Sequence, residues 1–185
     1  MILLGLGGNL PSRQFGPPRS TLQAALAALE QRDVRVRRRS RWYRSRPVPD
    51  DGQPWYVNGV AEIETTLPPD ELLARVLEIE AVFGRVRRRR WAPRLIDLDI
   101  LAYHDHNNWN AIPPVTPIVP HPRLHERAFV LAPLAEFAPA WRHPVLERTA
   151  AELLAALPAG QFVAALEEAE AEVRAEAVAG AVRAR

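Results

Sequence analysis

Residues 68–101 read PPDELLARVLEIEAVFGRVRRRRWAPRLIDLDIL, and this stretch by itself predicts a helix, a basic connection and a strand. The helix is predicted over 70–83, because apolar residues recur there at helical spacing, two prolines precede them and Gly84 follows. Apolar and acidic residues alternate over 95–101, which is the period of a strand with one buried face. The stretch therefore predicts a helix and a strand joined by a strongly basic connection.

Upstream of this stretch, the pattern adds a strand, a helix and two further strands. Residues 1–6 predict a first strand that is not at the sheet edge, and the helix that follows has Ser20 as its predicted N-cap. The β-prone stretches 34–46 and 56–66 predict an antiparallel pair with a long connecting loop. This order is typical of the ferredoxin-like βαββαβ architecture. We therefore predict an α+β fold in which an antiparallel sheet carries both helices on one face.

Downstream of the stretch, the sequence predicts C-terminal helices. An irregular, proline-rich segment is followed by a helical pattern over 126–137. Thr149 and Glu152 form a capping-box pattern, which predicts the start of another helix. The alanine- and glutamate-rich stretch 162–185 predicts a surface helix that frays toward its end.

The composition fits a globular domain and excludes cysteine chemistry. The chain has 185 residues, of which 48% are hydrophobic and 25% charged, enough for one core. We expect a single domain over 1–160 and a C-terminal helical extension over 161–185. Because the chain has no cysteine, disulfides, thiolate nucleophiles and cysteine-based metal sites are excluded. Short apolar runs and the lack of a signal-like start favour a soluble, cytoplasmic protein.

The basic residues are all arginines, and they cluster. The formal charge is only +2, yet more than half of the 24 arginines fall in two blocks, 32–46 and 85–94. Guanidinium groups suit phosphate oxygens, so the blocks indicate a polyanionic ligand, either a nucleotide or a nucleic acid. The second block could close over a triphosphate, although a basic loop that binds RNA nonspecifically, or that binds nothing, is an alternative. For the first block, a solvated strand face is an equally good interpretation.

Asp97 and Asp99 are candidate metal ligands. They are two residues apart on the last predicted strand of the βαββαβ pattern, so their carboxylates share one face with roots about 6.5 to 7 Å apart. The apolar residues beside and between them point the other way, into the core. Such a pair suits Mg²⁺, which is typically bound by one or two carboxylates together with substrate phosphates. The alternative is a solvated Asp-x-Asp pair on an exposed face.

Several motifs, in order, give the chain a resemblance to a known family. The segment RWAPRLIDLDIL at 90–101 resembles the characteristic motif of 6-hydroxymethyl-7,8-dihydropterin pyrophosphokinases, which act in folate biosynthesis. The other motifs follow the family order between residues 1 and 137. They are GGNL at 7–10, YRSRP at 43–47, QPWYVN at 53–58, EAVFGRVR at 80–87, PHP at 120–122 and RAF at 127–129.

The resemblance implies an ATP-dependent pyrophosphokinase. Such an enzyme transfers the terminal pyrophosphoryl group of ATP to the hydroxymethyl group of the reduced pterin and leaves AMP. Asp97 and Asp99 would hold two Mg²⁺ ions, with ATP as the co-substrate. The family also suggests a monomer that acts on small molecules and binds neither nucleic acid nor membrane. The implied catalytic residues are Arg85, Arg94, Asp97 and Asp99.

The resemblance further implies a binding site for each substrate. A flat pterin ring with polar edges suits aromatic faces and an amide that both donates and accepts hydrogen bonds. The implied nucleotide residues are Glu80, Arg87, Trp91, Arg94, Ile100, His121 and Arg127. The implied pterin residues are Gly7, Ser45, Pro47, Val48, Tyr56, Asn58, Trp91 and Phe129.

Two other functions stay open at this point. A ferredoxin-like RNA-binding module would use the arginine-rich strand and loop to grip the phosphate backbone. Sheets of that kind expose aromatic residues on their central strands, whereas here Asp97 and Asp99 would occupy the face in question. The second alternative is a binding protein with the same fold but no turnover, and only a turnover assay excludes it.

Overall fold

The computed structural model describes residues 1–47, 52–85, 92–111 and 115–166. Within these ranges the chain forms a six-stranded antiparallel sheet with helices on both faces. The strands are β1 (Ile2–Gly8), β2 (Arg35–Arg39), β3 (Tyr43–Ser45), β4 (Tyr56–Glu64), β5 (Asp97–Tyr103) and β6 (Val163–Ala165). The helices are α1 (Pro18–Glu30), α2 (Pro69–Val82), α3 (Ala128–Phe137) and α4 (Ala150–Ala155), with a 3-10 turn at Leu124–Glu126.

The sheet has the strand order β5-β1-β4-β3-β6, and β2 also pairs with β4. β1 is hydrogen-bonded to β4 on one side and to β5 on the other. The prediction that the first strand is not at the edge is therefore confirmed. With β2 and β3 together in the place of the second strand, this is the predicted ferredoxin-like arrangement.

Two hydrophobic cores lie on opposite faces of the sheet. Leu22 of α1 and Val76 of α2 pack with Leu6 of β1 in the first core. The prediction that the first two helices share one face is therefore confirmed. Leu131 of α3 packs with Leu101 of β5 in the second core, to which α4 also contributes. Because side chains alternate along each strand, β1 and β5 supply apolar residues to both cores.

The N-cap predicted at Ser20 is wrong. Helix α1 begins at Pro18, and its N-cap is Pro17, three residues before Ser20, with no side-chain cap. Proline suits the first helical position, here Pro18, because its φ is already helical and the first N–H groups of a helix have no intrahelical acceptor. Ser20 consequently lies inside the first turn.

The strand predicted over 34–46 is interrupted at Ser40. The Ser40 N–H donates to Val60 O at 2.9 Å, and Ser40 Oγ accepts from the Val60 N–H at 3.1 Å. The serine side chain thereby supplies an acceptor for the Val60 N–H of β4, at the point where the backbone after Ser40 leaves the regular hydrogen-bonded ladder. The apolar Val34 and Val36 lie at even positions, whereas the buried Tyr43 and Ser45 of β3 lie at odd positions, so the side-chain alternation changes across the break.

The C-terminal predictions have mixed outcomes. The capping box is confirmed, because Thr149 Oγ1 accepts from the Glu152 N–H at 3.2 Å and the Glu152 carboxylate accepts from the Thr149 N–H at 2.7 Å. The helix predicted from residue 162 is wrong at its start, since Val163–Ala165 form β6 and pair with β3. The open edge of β3 offers backbone partners that outweigh the helix preference of alanine. Residues 167–185 lie outside the described ranges.

Two arginines of β2 form ion pairs at the protein surface. Arg37 lies 3.2 Å from the Glu64 carboxylate, and Arg38 lies 2.6 Å from the Glu62 carboxylate. Arg38 Nη1 also donates to Phe137 O at 3.0 Å, which joins this strand to α3. For these residues of the first arginine block, the geometry favours the interpretation as a strand face over a phosphate-binding surface.

Three expectations concern the chain as a whole. The division into a domain over 1–160 and an extension over 161–185 stays a prediction. The monomeric state and the cytoplasmic location also stay predictions. In the described part of the chain, no helix combines the length and the hydropathy needed to cross a bilayer.

Candidate active site

A cavity of about 320 Å³ opens on the sheet face that carries α3. Gly5 and Gly7 of β1 line it, and the Leu101 side chain packs closely over Gly5, where a Cβ would lie 3.2 Å from it. Aromatic rings of Tyr56 and Phe129 form part of its wall. Its size and mixed lining are typical of a small-molecule site. The polar and charged lining residues include Ser45, Gln53, Asn58, Arg94, Asp97, Asp99, Arg123, Glu126, Arg127 and Gln161.

Strand β5 presents both candidate metal ligands to the cavity. Asp97 and Asp99 line it, whereas Leu98 and Ile100 are buried in the core under α1 and α2. The predicted separation of acidic and apolar faces is therefore confirmed. The side chain of Ile100 lies in that core and does not line the cavity, and the nucleotide role that the resemblance implies for Ile100 stays a prediction.

Three arginines surround the two aspartates. Arg85 Nη1 lies 2.7 Å from Asp97 Oδ1, and Arg94 Nη1 is paired with Asp97 Oδ2. Arg127 Nη1 lies 3.8 Å from Asp99 Oδ2, a longer contact. Asp97 is therefore well neutralised, whereas Asp99 is less so.

Asp99 is held in an environment that disfavours its charge. Burial and the neighbouring charge of Asp97 raise the pKa of Asp99 from 3.8 to about 6, and Arg127 opposes this shift. A cation placed between the two carboxylates would remove the repulsion. The geometry thus creates a position for added positive charge beside Asp99.

Glu80 lies beneath the cavity and holds Arg85. Its carboxylate is 2% exposed, accepts from the Leu98 N–H at 2.7 Å and is paired with Arg85. Burial raises the pKa of Glu80, while the Leu98 N–H and Arg85 oppose the shift. Arg85 therefore bridges Glu80 and Asp97. The resemblance places Glu80 beside the nucleotide, and in the structure its contacts are with the arginine and the β5 backbone.

Asn9 fastens two segments of the site to each other. Its side chain is 2% exposed. Asn9 Oδ1 accepts from the Arg94 N–H at 2.8 Å, and Asn9 Nδ2 donates to Pro54 O at 3.0 Å. The segment that carries Arg94 and the segment that leads to Tyr56 are thereby joined. Asn9 belongs to the first motif but receives no role from the sequence, because both partners are backbone groups distant along the chain.

His121 is held as a neutral ring near Arg127. Its backbone N–H donates to Leu101 O at 2.8 Å, and its Nδ1 accepts from the Arg123 N–H at 3.1 Å. The proton of the neutral ring is therefore on Nε2. Burial and the charge of Arg127 lower the pKa of His121 to about 4, which keeps the ring neutral near pH 7. Arg127 lines the cavity, whereas His121 is not among the residues that line it.

The end of the cavity beside β3 and β4 holds a buried polar pair. Asn58 is 4% exposed and Ser45 is 5% exposed, and Asn58 Nδ2 donates to Ser45 Oγ at 2.9 Å. Pro47 lines the same end. The structure therefore brings these residues together with Gly7 and Tyr56, as the resemblance implies for the pterin site.

Some implied residues cannot be placed, and other lining residues escaped the sequence analysis. Val48, Arg87 and Trp91 lie outside the described residues. Among the polar and charged lining residues without a predicted role, Arg46 and Gln53 belong to family motifs. The others lie in the 3-10 turn, beside it or just before β6, where no pattern indicates a site. The polar and charged lining residues that were missed are Arg46, Gln53, Arg123, Glu126 and Gln161.

Residues 3–139 match the family described as 7,8-dihydro-6-hydroxymethylpterin-pyrophosphokinase. The chain is 41% identical over 153 residues to a Synechocystis 2-amino-4-hydroxy-6-hydroxymethyldihydropteridine pyrophosphokinase, covering 82% of this chain and 73% of that protein. It is 42% identical over 158 residues to the Pseudomonas aeruginosa protein of the same name, covering 85% of this chain and 91% of that protein.

Solved structures with a similar fold include wild-type HPPK-DHPS of Plasmodium falciparum with pteroate, with a TM-score of 0.61 at 13% identity. The match covers 83% of this chain but only 43% of that longer chain, so it bears on the fold alone. Both bacterial relatives are named as pyrophosphokinases, and the comparisons give the RNA-binding alternative no support. The resemblance seen in the motifs is thus confirmed, and the chain belongs to the 7,8-dihydro-6-hydroxymethylpterin-pyrophosphokinase family.

Proposed function

We propose that this chain transfers the terminal pyrophosphoryl group of ATP to 6-hydroxymethyl-7,8-dihydropterin in folate biosynthesis. The observation that carries the proposal is that one cavity holds a carboxylate pair, arginines, aromatic rings and a buried amide. In the reaction, the hydroxymethyl oxygen bonds to the β-phosphorus of ATP. The bond from that phosphorus to the oxygen bridging to the α-phosphate breaks, AMP leaves, and the hydroxyl proton is released.

Arginines from separate segments are available for the phosphates. Arg94 precedes β5 and Arg127 precedes α3, and both line the cavity. Guanidinium groups bind phosphate oxygens through paired hydrogen bonds, and phosphoryl transfer depends chiefly on positioning and electrostatics. We assign Arg94 and Arg127 to the polyphosphate, with Arg85 beside Asp97 as a third cation.

Mg²⁺ fits the donor set of the two aspartates. Among residues 1–47, 52–85, 92–111 and 115–166, no group of three or more acidic or histidine side chains is arranged to hold a metal by itself. Two carboxylates suit Mg²⁺, because phosphate oxygens and water complete its coordination. We propose that Asp97 and Asp99 hold two such ions, which when bound supply positive charge to the polyphosphate.

The buried polar pair and the aromatic rings suit the pterin. Tyr56 and Phe129 offer aromatic faces for a flat ring. The Asn58 amide offers both a donor and an acceptor along the polar edge of the ring. Gly7 leaves room for the ring to approach the sheet, because no side chain rises from that position.

Two adjacent glycines of β1 should respond differently to alanine. A Cβ on Gly8 would lie 2.6 Å from Leu95 O, a backbone atom that cannot move aside. Gly8→Ala should therefore lower the free energy of unfolding by about 2 kcal/mol. A Cβ on Gly7 would lie 3.5 Å from Asn58 Oδ1, an ordinary contact. Gly7→Ala should therefore fold normally and weaken pterin binding at the Asn58 end of the cavity.

Urea unfolding and a fluorescence titration with the pterin substrate measure these two effects. Each variant serves as the control for the other, because the same methyl group is added to neighbouring residues of one strand. Equal unfolding free energies for the two variants would contradict the close approach of Leu95 to Gly8.

The Mg²⁺ requirement should depend on pH in the acid range. Because the pKa of Asp99 is about 6, protons compete with the cation for this carboxylate below that pH. We expect the Mg²⁺ concentration for half-maximal rate to rise by up to about tenfold for each pH unit below 6. Measuring this concentration at about pH 8 and about pH 5 tests the expectation. The same requirement at both values would contradict it.

The decisive test of the proposed function is the identity of the nucleotide product. The chain is incubated with Mg²⁺, ATP and 6-hydroxymethyl-7,8-dihydropterin, and the nucleotides are separated. AMP together with a pyrophosphorylated pterin supports the proposal. ADP would indicate transfer of a single phosphoryl group, and no turnover would favour the alternative of a binding protein without activity.

A further inference from the structure

We propose that Gln161, which lies beyond the family match at 3–139, is a positioning residue of the active site. It would hold the backbone at Arg127 and so set the place of both Arg127 and Phe129 in the cavity. This inference rests on the proposed function for the identity of the ligands. Its geometric basis is independent of that function.

The Gln161 amide binds the backbone on both sides of Arg127. Gln161 Oε1 accepts from the Ala128 N–H at 2.9 Å, and Gln161 Nε2 donates to Glu126 O at 2.8 Å. One planar amide thus spans the peptide groups that flank a single residue. Gln161 also lines the cavity.

These bonds replace a missing helix cap. Arg127 is the N-cap residue of α3, with extended backbone angles and no cap made by its own side chain. The first N–H groups of a helix lack intrahelical acceptors, and a side chain from elsewhere can satisfy one of them. Gln161 does this for Ala128. The donor-only guanidinium of Arg127 cannot supply this acceptor, and it reaches toward Asp99 at 3.8 Å.

The chain on either side of Gln161 is fixed. Gly160 has φ +108°, a conformation that residues with a side chain rarely adopt, and this turn directs the chain from α4 toward the cavity. Phe162 O accepts from the Arg46 N–H at 3.4 Å, and the Phe162 ring lies 5.1 Å from the Trp55 ring. Gln161 is therefore held between a tight turn at Gly160 and the contacts of Phe162.

This segment joins two walls of the cavity. On one side β6 pairs with β3, with Val163 opposite Ser45. On the other side Gln161 binds the start of α3, where the Arg127 guanidinium lies 5.6 Å from the centre of the Phe129 ring. A shift at Arg127 would thus move a phosphate-binding group and an aromatic face together.

Two substitutions separate the bonds that Gln161 makes. Gln161→Met keeps the length of the side chain and removes both hydrogen bonds. Gln161→Glu keeps an acceptor for the Ala128 N–H but replaces the donor to Glu126 O. We expect kcat/KM for AMP formation to fall about tenfold in Gln161→Met and about threefold in Gln161→Glu. The dissociation constants of ATP and of the pterin, each measured alone by calorimetry, should rise in the same order.

Thr149→Ala is the matched control. It removes the capping box of α4 and lowers stability by an ordinary amount, but Thr149 does not line the cavity. Gln161→Met should lose activity and affinity that Thr149→Ala keeps at a similar loss of melting temperature. If the two variants differ by less than twofold in kcat/KM and in both dissociation constants, the inference is wrong.

The binding measurements separate this inference from the proposed function. A wild-type chain that binds ATP but forms no AMP would overturn the proposed function. In that case the ratio of dissociation constants between wild type and Gln161→Met still decides whether Gln161 positions the site. A wild-type chain that binds neither ATP nor the pterin overturns both proposals.

Discussion

Asp99→Asn should reduce AMP formation by at least about a hundredfold and, at the same time, raise the melting temperature above pH 6. The loss of activity is expected because a neutral amide is a poor ligand for Mg²⁺ and cannot hold the cation against the polyphosphate. The gain in stability is expected because the charge of Asp99 is disfavoured in the native state. Asparagine keeps the shape of the side chain and removes that charge.

The direction of the change in melting temperature follows from the pKa of Asp99, which is about 6 in the folded chain against an ordinary value of 3.8. A raised pKa in the folded state means that the native protein binds the proton more tightly than the unfolded chain does. The contribution of Asp99 to the stability of the folded state is therefore fully present below about pH 3.8, and it is lost as the pH rises through about 6. Asp99→Asn should melt at a higher temperature than wild type at about pH 8, and the difference should vanish at about pH 4.

Asp97→Asn is the matched control for this prediction. Asp97 forms ion pairs with two arginines. Its Oδ1 lies 2.7 Å from Arg85 Nη1, and its Oδ2 is paired with Arg94 Nη1. Its replacement leaves both arginines without this partner, so the melting temperature should fall while activity is also lost. Scanning calorimetry without ligand and the AMP assay measure both variants. A stabilised Asp97→Asn, or a fully active Asp99→Asn, would contradict the assignment of the two carboxylates.

Arg94→Ala should lower kcat by about 100- to 1,000-fold at saturating substrates. The Arg94 guanidinium lines the cavity and is paired with Asp97, so it lies where charge on the transferred group must be stabilised. The backbone of Arg94 is held separately, because its N–H donates to Asn9 Oδ1 at 2.8 Å and its carbonyl accepts from the Asn9 N–H at 3.0 Å. The substitution should therefore remove the side chain without moving the segment.

Arg94→Lys distinguishes charge from geometry at this position. Lysine keeps the positive charge but cannot form the planar pair of hydrogen bonds. We expect its rate to lie between those of wild type and Arg94→Ala. Steady-state kinetics with each substrate varied in turn measures both variants. A change confined to KM, with kcat preserved, would show that Arg94 binds the ground state and does not stabilise the transition state.

The sequence predicted the larger part of this fold because its periodicities are clear. The apolar spacing over 70–83 and the alternation over 95–101 correspond to α2 and β5, each within about two residues. The same alternation placed Asp97 and Asp99 on the face opposite the core of α1 and α2. These predictions depend only on neighbours along the chain.

The failures share a different cause. Ser40 interrupts a strand because its hydroxyl completes the pairing with β4, and Val163–Ala165 form a strand because β3 has an open edge. Neither partner is close in sequence. The nucleotide roles that the resemblance implies for Glu80 and Ile100 stay predictions, and the contacts of the buried Glu80 with Arg85 and the Leu98 N–H likewise come from tertiary structure.

The sequence by itself determined the order of elements, the acidic face of β5 and, through its motifs, the family. Local patterns suffice for these features, because side-chain alternation and helix termini depend on residues a few positions apart. Only the tertiary structure decided that Asp97 is neutralised by two arginines while Asp99 carries an unfavourable charge. It also decided that Asn9 and Gln161 hold the cavity walls, because their partners are backbone groups 33 or more residues away. No pattern along the chain records such hydrogen bonds, since any residue can supply a peptide group.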